Sequence, residues 1–536
     1  MAERVWWRDG VHYQIYPRSW ADSDGDGVGD LRGVIDRLDH LAWLGVDGVW
    51  LSPIMVSPDA DWGYDVADYT AVQPTLGTLA EVDELIAAAG RRDLEIILDL
   101  VPNHTSIEHP WFAESRASRD SPKRDWYVWA DPRPDGSLPN NWLSTFGGPA
   151  WTLDDTTGQY YLHNFTPGQP DLNWWNEEVR AEFDRILRFW FDRGVAGCRI
   201  DVAHAIVKDK ELRDNPPVTD ADHWMDRLRG QRPVYNQCRP EVHEVHRRWR
   251  SLADSYDPPR VLIGETFVFD VPTMASFYGT GDELHLAFNI PLLHTAFEAE
   301  ALREVVEETE AEMPRDGWPV WTAGNHDVSR FPTRWGDNDP ARARCALMMT
   351  LTLRGAAFLY YGDELGMVDT DVRRERLRDP VGLRFHPLAG RDPERTPMQW
   401  SPDPGGGFSA DPAAEPWLPY GDFASRNVAD QRRDPGSILA LCRDLIGLRD
   451  ALPDLRAGAY ETLVADGDLW AWRRGERVVI ALNLGGEPAR VDGIDGIVRI
   501  GTDRARDGER VDGTLTLGPW EGAVVWLDGA PRPALT

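Results

Sequence analysis

The chain is predicted to fold as an α/β protein, a (β/α)8 barrel with a loop-rich insertion after its third strand and a small antiparallel β-domain at its C-terminal end. Three observations predict this. Short apolar runs recur through roughly the first 370 residues with helical patterns between them. About 70 residues rich in Pro, Gly, Asn and Trp interrupt that repetition once, and beyond Pro453 the pattern changes to alternating runs split by Gly and Asp turns.

Eight runs read as buried parallel strands: 11–17, 47–54, 95–102, 197–203, 260–266, 284–290, 318–324 and 356–361. Each is a short, mostly apolar stretch, which suits a strand covered on both faces. Segments 32–45 and 179–193 carry apolar residues three to four apart and suit helices packed on a sheet. Eight such units close a barrel. The interruption, 103–172, is predicted as an inserted subdomain dividing the barrel into 1–102 and 173–455. The runs VVIALNL (478–484) and GAVVWLDG (522–529) place the β-domain at 456–536.

Composition narrows the function classes. A chain of 536 residues, 42% hydrophobic and 27% charged, is ordinary for a globular protein with a deep core. Its 57 basic and 89 acidic residues leave a formal charge of −32, which repels phosphate backbones and anionic lipid and leaves a neutral substrate unaffected. Neither nucleic acid nor membrane is therefore expected as a partner. The N-terminus lacks the apolar segment of a secretory signal and no run approaches the length of a membrane span, so a cytoplasmic protein is expected. Cys198, Cys238, Cys345 and Cys442 are widely spaced and read as free, buried thiols.

Active sites of such barrels lie at the C-terminal ends of the strands. Four of the runs end in DLVPNHTS (99–106), GCRIDVAHA (197–205), GETF (264–267) and GNHD (324–327). One Asp at a strand end is usually a helix N-cap, whereas four acidic strand ends together point to chemistry. A second pattern lies after the first strand. Asp22, Asp24, Asp26, the Val28 carbonyl and Asp30 fall at positions 1, 3, 5, 7 and 9 of an EF-hand-like loop. Position 12 is Gly33 and a strand precedes the loop, so it is no EF-hand.

The four strand-end segments, in this order and spacing, resemble the four signature regions of the α-amylase family of glycoside hydrolases, over about residues 5–400. QPDLNWWN (169–176) is similar to a further signature in the form common to the oligo-1,6-glucosidase and α-glucosidase branch. The resemblance implies a retaining enzyme with Asp201 as nucleophile, Glu265 as acid/base and Asp327 binding the sugar 2-OH and 3-OH. Arg199, two residues before Asp201 on the same strand face, would hold that carboxylate ionised and aimed. His104 and His326 would donate to sugar hydroxyls, and Asp99 would brace the barrel interior.

WGYDVADY (62–69) and GRDPERTPMQW (390–400) resemble the paired segments that close the pocket in that branch. They imply an Asp65–Arg391 ion pair gripping the 4-OH and 6-OH end, with Arg395 close by. Tyr64, Phe146 and Phe165 would offer apolar faces to the ring. A closed pocket implies release of terminal glucose from the non-reducing end of short α-glucosides. By the same resemblance Val202, after the nucleophile, leans towards α-1,6 linkages within an expected α-1,4 and/or α-1,6 specificity with possible transglycosylation, while the charged excursion 206–259 would border the aglycone. The acidic loop resembles the branch's Ca2+ loop and implies a structural calcium ion. The expected partner is a small α-glucoside, and the expected assembly a monomer or homodimer. The alternative within the family is a glucosyltransferase or isomerase acting on sucrose or trehalose.

Overall fold

The structure, a computed structural model, describes residues 4–384 and 390–529. Residues 1–3, 385–389 and 530–536, among them the outermost residues of the first and last predicted domains, lie outside the described residues. All eight predicted runs form strands of one parallel sheet: β1 (Val11–Ile15), β2 (Gly48–Leu51), β3 (Glu95–Leu100), β4 (Gly197–Ile200), β5 (Val261–Gly264), β6 (Leu286–Ala287), β7 (Val320–Thr322) and β8 (Ala356–Tyr360). Their order in the sheet is β6-β5-β4-β3-β2-β1-β8-β7, so chain neighbours are sheet neighbours except β6 and β7, the two ends of the order.

The barrel is nearly closed. Among the described residues β6 and β7 share no backbone ladder, yet Leu286, Phe288 and Val320 join Trp50, Ile97 and Ile263 in one buried cluster. Side chains close the gap that strands of two and three residues are too short to bridge. Several strands are shorter than their apolar runs. The 197–203 run pairs only to Ile200, and the 260–266 run only to Gly264. One further hydrogen bond, from Asp201 N to Leu100 O and from Glu265 N to Ile200 O, carries each chain past its last ladder residue. The two carboxylates therefore stand just beyond the sheet, on adjacent strands.

The 32–45 pattern forms two helices, Leu31–Asp36 and Leu38–Leu44, the second ended by Gly45 in the left-handed conformation. The 179–193 pattern forms helix Glu177–Asp192, N-capped by Asn176, which buries Val179, Phe183, Ile186, Leu187 and Trp190 along one stripe. Between β3 and β4 the chain makes a three-stranded antiparallel sheet from Trp129–Ala130, Trp151–Asp154 and Gln159–Leu162, packed around Trp142 and Trp151. A short helix, Pro110–Arg116, also forms there, where no helical period is visible in the sequence.

After helix Ile438–Ala451 the chain enters a six-stranded antiparallel sheet running from Tyr460 to Leu527. Its residues alternate between two cores. Trp470, Trp472, Ile480, Leu482 and Val524 join the core of the barrel's helical layer, while Leu469, Ala471, Val479, Ala481 and Val525 face a separate cluster. Of the four cysteines, all free, Cys238 is exposed, contrary to the expectation of four buried thiols, because it lies in the irregular excursion before β5.

Candidate active site

Arg199, on β4 and almost completely buried, organises the centre. Its Nη1 donates to Asp99 Oδ1 at 2.9 Å and to Asp201 Oδ1 at 2.7 Å, and its Nη2 lies 2.7 Å from Glu265 Oε2. One guanidinium thus ties together three carboxylates from three successive strands. The Val202 backbone N–H also donates to Glu265 Oε2, at 3.0 Å. Val202 holds φ at +48°, a conformation that a β-branched residue adopts at a cost of about 1–3 kcal/mol. Burial pushes the Asp201 carboxyl up, the charge on Glu265 adds to that push, and the Arg199 cation opposes both. Asp99 Oδ2 accepts from Tyr64 OH and Trp50 Nε1, so it braces Arg199 inside the barrel as the sequence implies.

Asp327 follows β7 on the other side of the opening. Burial alone would raise its carboxyl, but the Arg391 and Arg395 cations, with the His326 ring beside it, hold it well below the usual carboxylate range. Arg391 and Arg395 both reach Oδ1, at 3.0 and 2.7 Å. The Gln14 amide donates to His326 Nδ1 at 2.8 Å, which leaves the ring proton on Nε2, 3.3 Å from Asp327 Oδ2. His104 is buried between the Tyr64 carbonyl, Asn103 and Gln169, and burial lowers it to about 4. Both histidines are therefore neutral donors at physiological pH.

The implied Asp65–Arg391 ion pair does not form. Arg391 Nη2 bonds Asp61 at 2.7 Å and Asp379 at 2.6 Å. Asp65 accepts instead from Ser57 Oγ, Ala60 N and Asp61 N, so its carboxylate is spent on holding the turn that presents Asp61. Trp62 and Gly63 take positive φ in that turn, reversing the chain between Asp61 and Tyr64. The Arg391 guanidinium stacks over Phe146, 5.1 Å from its centroid, and Phe146 meets Phe165 edge-on.

These groups surround a cavity of about 330 Å3 that reaches Tyr64, His104, Asp201, Glu265, Asp327 and Arg391. The mouth is lined by Met225, Leu228 and Arg229 from helix Trp224–Arg229, with Phe267. A wider cleft of about 930 Å3, lined by Trp224, His294 and Phe297, shares Asp327 and Arg391 with it.

Away from this centre, oxygens of Asp22, Asp24 and Asp30 lie within 4.8 Å of one another. Asp26 is turned aside, its carboxylate accepting the Val28 N–H at 2.8 Å. Burial raises the carboxyls of Asp26 and Asp30, and neighbouring aspartates add to this. Among the described residues no ion pair is recorded for any of the four aspartates of the loop. A cluster of oxygen ligands with uncompensated charge fits a hard divalent cation.

Comparison with known proteins agrees with this geometry. Residues 14–458 match the family model described as alpha amylase, catalytic domain. The chain belongs to the α-amylase family. Within it, a probable alpha-glucosidase of Rhizobium meliloti (strain 1021) is 41% identical over 91% of each chain. An oligo-1,6-glucosidase of Heyndrickxia coagulans is 36% identical over 98% of this chain and 99% of its own. A solved alpha-glucosyl transfer enzyme superposes with a TM-score of 0.91 at 41% identity, covering 98% of this chain and all of that one.

In this α-amylase-family chain the structure brings together Asp201, Glu265, Asp327, Arg199, Tyr64, His104, His326, Phe146, Phe165, Val202, Arg391 and Arg395. It moves Asp65 one layer outward. Sequence reasoning missed Asp61 and Asp379, the two carboxylates that hold Arg391. Asp61 stands immediately before the recognised WGYD segment, but only the reversal of the turn tells it from Asp59 and Asp65. Asp379 lies in no recognised motif.

Proposed function

We propose that the chain is an exo-acting retaining α-glucosidase that releases terminal glucose from the non-reducing end of short α-glucosides. The carrying observation is Arg199, 2.7 Å from both Asp201 and Glu265, at the base of a small cavity whose far side is tied off by Arg391. A retaining pair stands about 5–5.5 Å apart, a spacing that two carboxylates flanking one guanidinium suit. Asp201 attacks the anomeric carbon while Glu265 gives its proton to the departing oxygen. Water, deprotonated by Glu265, then displaces Asp201 and regenerates both groups. Asp327 takes the 2-OH and 3-OH, and the Asp61–Arg391 pair takes the 4-OH and 6-OH end. A charged pair across that end leaves no passage for a continuing chain, which favours attack on terminal residues.

The relatives named alpha-glucosidase and oligo-1,6-glucosidase support this reading, and Val202 favours α-1,6 linkages within it. Calcium, held by Asp22, Asp24 and Asp30 with Asp26 and the Val28 carbonyl in the same loop, would neutralise the acidic cluster and take no part in bond cleavage. The similarity to a glucosyl transfer enzyme and the cleft beside the cavity favour one second reading, transfer of glucose to an acceptor other than water.

The test is a pair of variants assayed on maltose, isomaltose, sucrose, trehalose and maltotriose with analysis of the product anomer. Asp201→Asn should lose nearly all turnover while still binding substrate, and Glu265→Gln should retain more activity on substrates with good leaving groups. Normal hydrolysis by Asp201→Asn overturns the proposal. Disaccharide isomers as main product would favour transfer.

A further inference from the structure

The segments that follow β6 and β7 form one wall of the 930 Å3 cleft, through Thr295, Phe297, Trp335 and Asp337. Among the described residues these two strands share no backbone ladder, so side chains hold the wall together. Trp335 Nε1 donates to the Thr295 carbonyl at 3.0 Å, and Arg334 Nη1 to the Leu293 carbonyl at 2.7 Å. Phe297 and Trp335, both buried, stack with their planes 13° apart and their centroids 5.2 Å apart.

The stack does not end within the barrel. Trp520, in the connection between strands Arg510–Leu517 and Glu521–Leu527 of the C-terminal sheet, stacks on Phe297 with planes 14° apart and centroids 6.2 Å apart. The Arg342 guanidinium lies over the same indole, 4.2 Å from its centroid, and its Nη1 donates to Asp337 Oδ2 at 2.6 Å. One side chain of the C-terminal sheet thus reaches the wall on both sides of the β6–β7 gap, directly at Phe297 and through one arginine at Asp337. Trp520 does this from a backbone φ of +50°, a left-handed conformation that strains a tryptophan and not a glycine. Glycine would serve the turn better. What tryptophan adds is its ring against Phe297 and Arg342.

The cleft adjoins the way out for the leaving group. Asp61 and Arg391 tie off the far end of the cavity, so the rest of the substrate extends through the mouth. Helix Trp224–Arg229 lines that mouth with Met225 and Leu228 and lines the cleft with Trp224. We infer that Trp520 is a positioning residue: it fixes Phe297 and Trp335 as an aromatic wall on which the sugar beyond the scissile bond packs its C–H face. The C-terminal sheet thereby takes part in selecting oligosaccharides. This rests on the glucosidase reading above.

The test compares kcat/KM on the better of maltotriose and isomaltotriose with kcat/KM on α-glucosyl fluoride, whose one-atom leaving group does not enter the cleft. Trp520→Leu keeps apolar cover over the turn and removes the ring, while Trp520→Phe keeps a ring. In Trp520→Leu the ratio of trisaccharide to fluoride kcat/KM should fall about threefold or more, the scale of one aromatic contact, with the fluoride value unchanged. Trp520→Phe should recover part of the ratio. In a Phe297→Leu background, Trp520→Leu should lower the ratio no further, since it acts through that ring. An unchanged ratio, equal losses on both substrates, or additive losses in the double variant would each overturn the inference by showing that Trp520 serves the fold alone. A wild-type protein that takes only the fluoride would overturn it too. A wild-type protein that hydrolyses neither substrate would instead overturn the glucosidase reading.

Discussion

Asp61 and Asp65 have the same side chain, lie in one turn and are both buried, but their carboxylates meet opposite kinds of partner. Asp61 faces the Arg391 cation, whereas Asp65 faces two backbone N–H groups and the Ser57 hydroxyl. Burial raises both carboxyls, Asp65 to about 6, and neither the Arg391 cation at Asp61 nor the hydrogen bonds at Asp65 fully offset desolvation. The two substitutions should therefore separate. Asp61→Asn should lower kcat/KM by about two orders of magnitude, the scale expected when one partner of a buried charge pair is removed, with little change in Tm. Asp65→Asn should lower Tm clearly, because the asparagine NH2 cannot accept from the turn's N–H groups. Kinetics and thermal melts on the same preparations check both. A destabilised Asp61→Asn beside a stable but inactive Asp65→Asn would reverse the assignment.

At the scale of elements, the strand ends present Asp201 and Glu265 to the cavity because β4 and β5 stop pairing one residue before them. The ladder fixes their separation and the absence of further pairing frees their side chains. The acidic loop joins β1 to helix Leu31–Asp36, and Asp30 serves both, capping that helix through Gly33 N while facing Asp22 and Asp24. Removing a bound cation would leave these carboxylates repelling one another beside a helix end. Incubation with EDTA should lower Tm and leave kcat at 25 °C largely intact, with CaCl2 restoring the melt. Loss of activity at an unchanged Tm would exclude the structural role.

For the molecule as a whole, the C-terminal sheet is part of the barrel's core. Trp470, Trp472, Ile480, Leu482 and Val524 are buried in it, and Arg474 donates to the Leu455 carbonyl at 2.7 Å and also bonds the carbonyl of Thr352. Exposing five such side chains at about 2 kcal/mol each costs on the order of 10 kcal/mol, comparable with the whole stability of a typical domain. A chain ending at residue 458 should therefore aggregate, and the full chain should melt in a single calorimetric transition. Two well-separated transitions, or a soluble and active truncated chain, would show that the sheet is independent.

Apolar runs of strand length and helical stripes between them determined the eight strands, the insertion and the terminal sheet, since these patterns are local and need only neighbouring residues to be read. Strand-end segments, through their resemblance to the family's signature regions, likewise marked Asp201, Glu265, Asp327 and Arg199 as candidates. Tertiary structure alone decided what Arg391 holds. Asp61 lies 330 positions away from it, and no periodicity encodes a pairing between loops that meet only when the barrel closes. Local patterns specify elements, and the chemistry depends on which loop ends the closed barrel brings face to face.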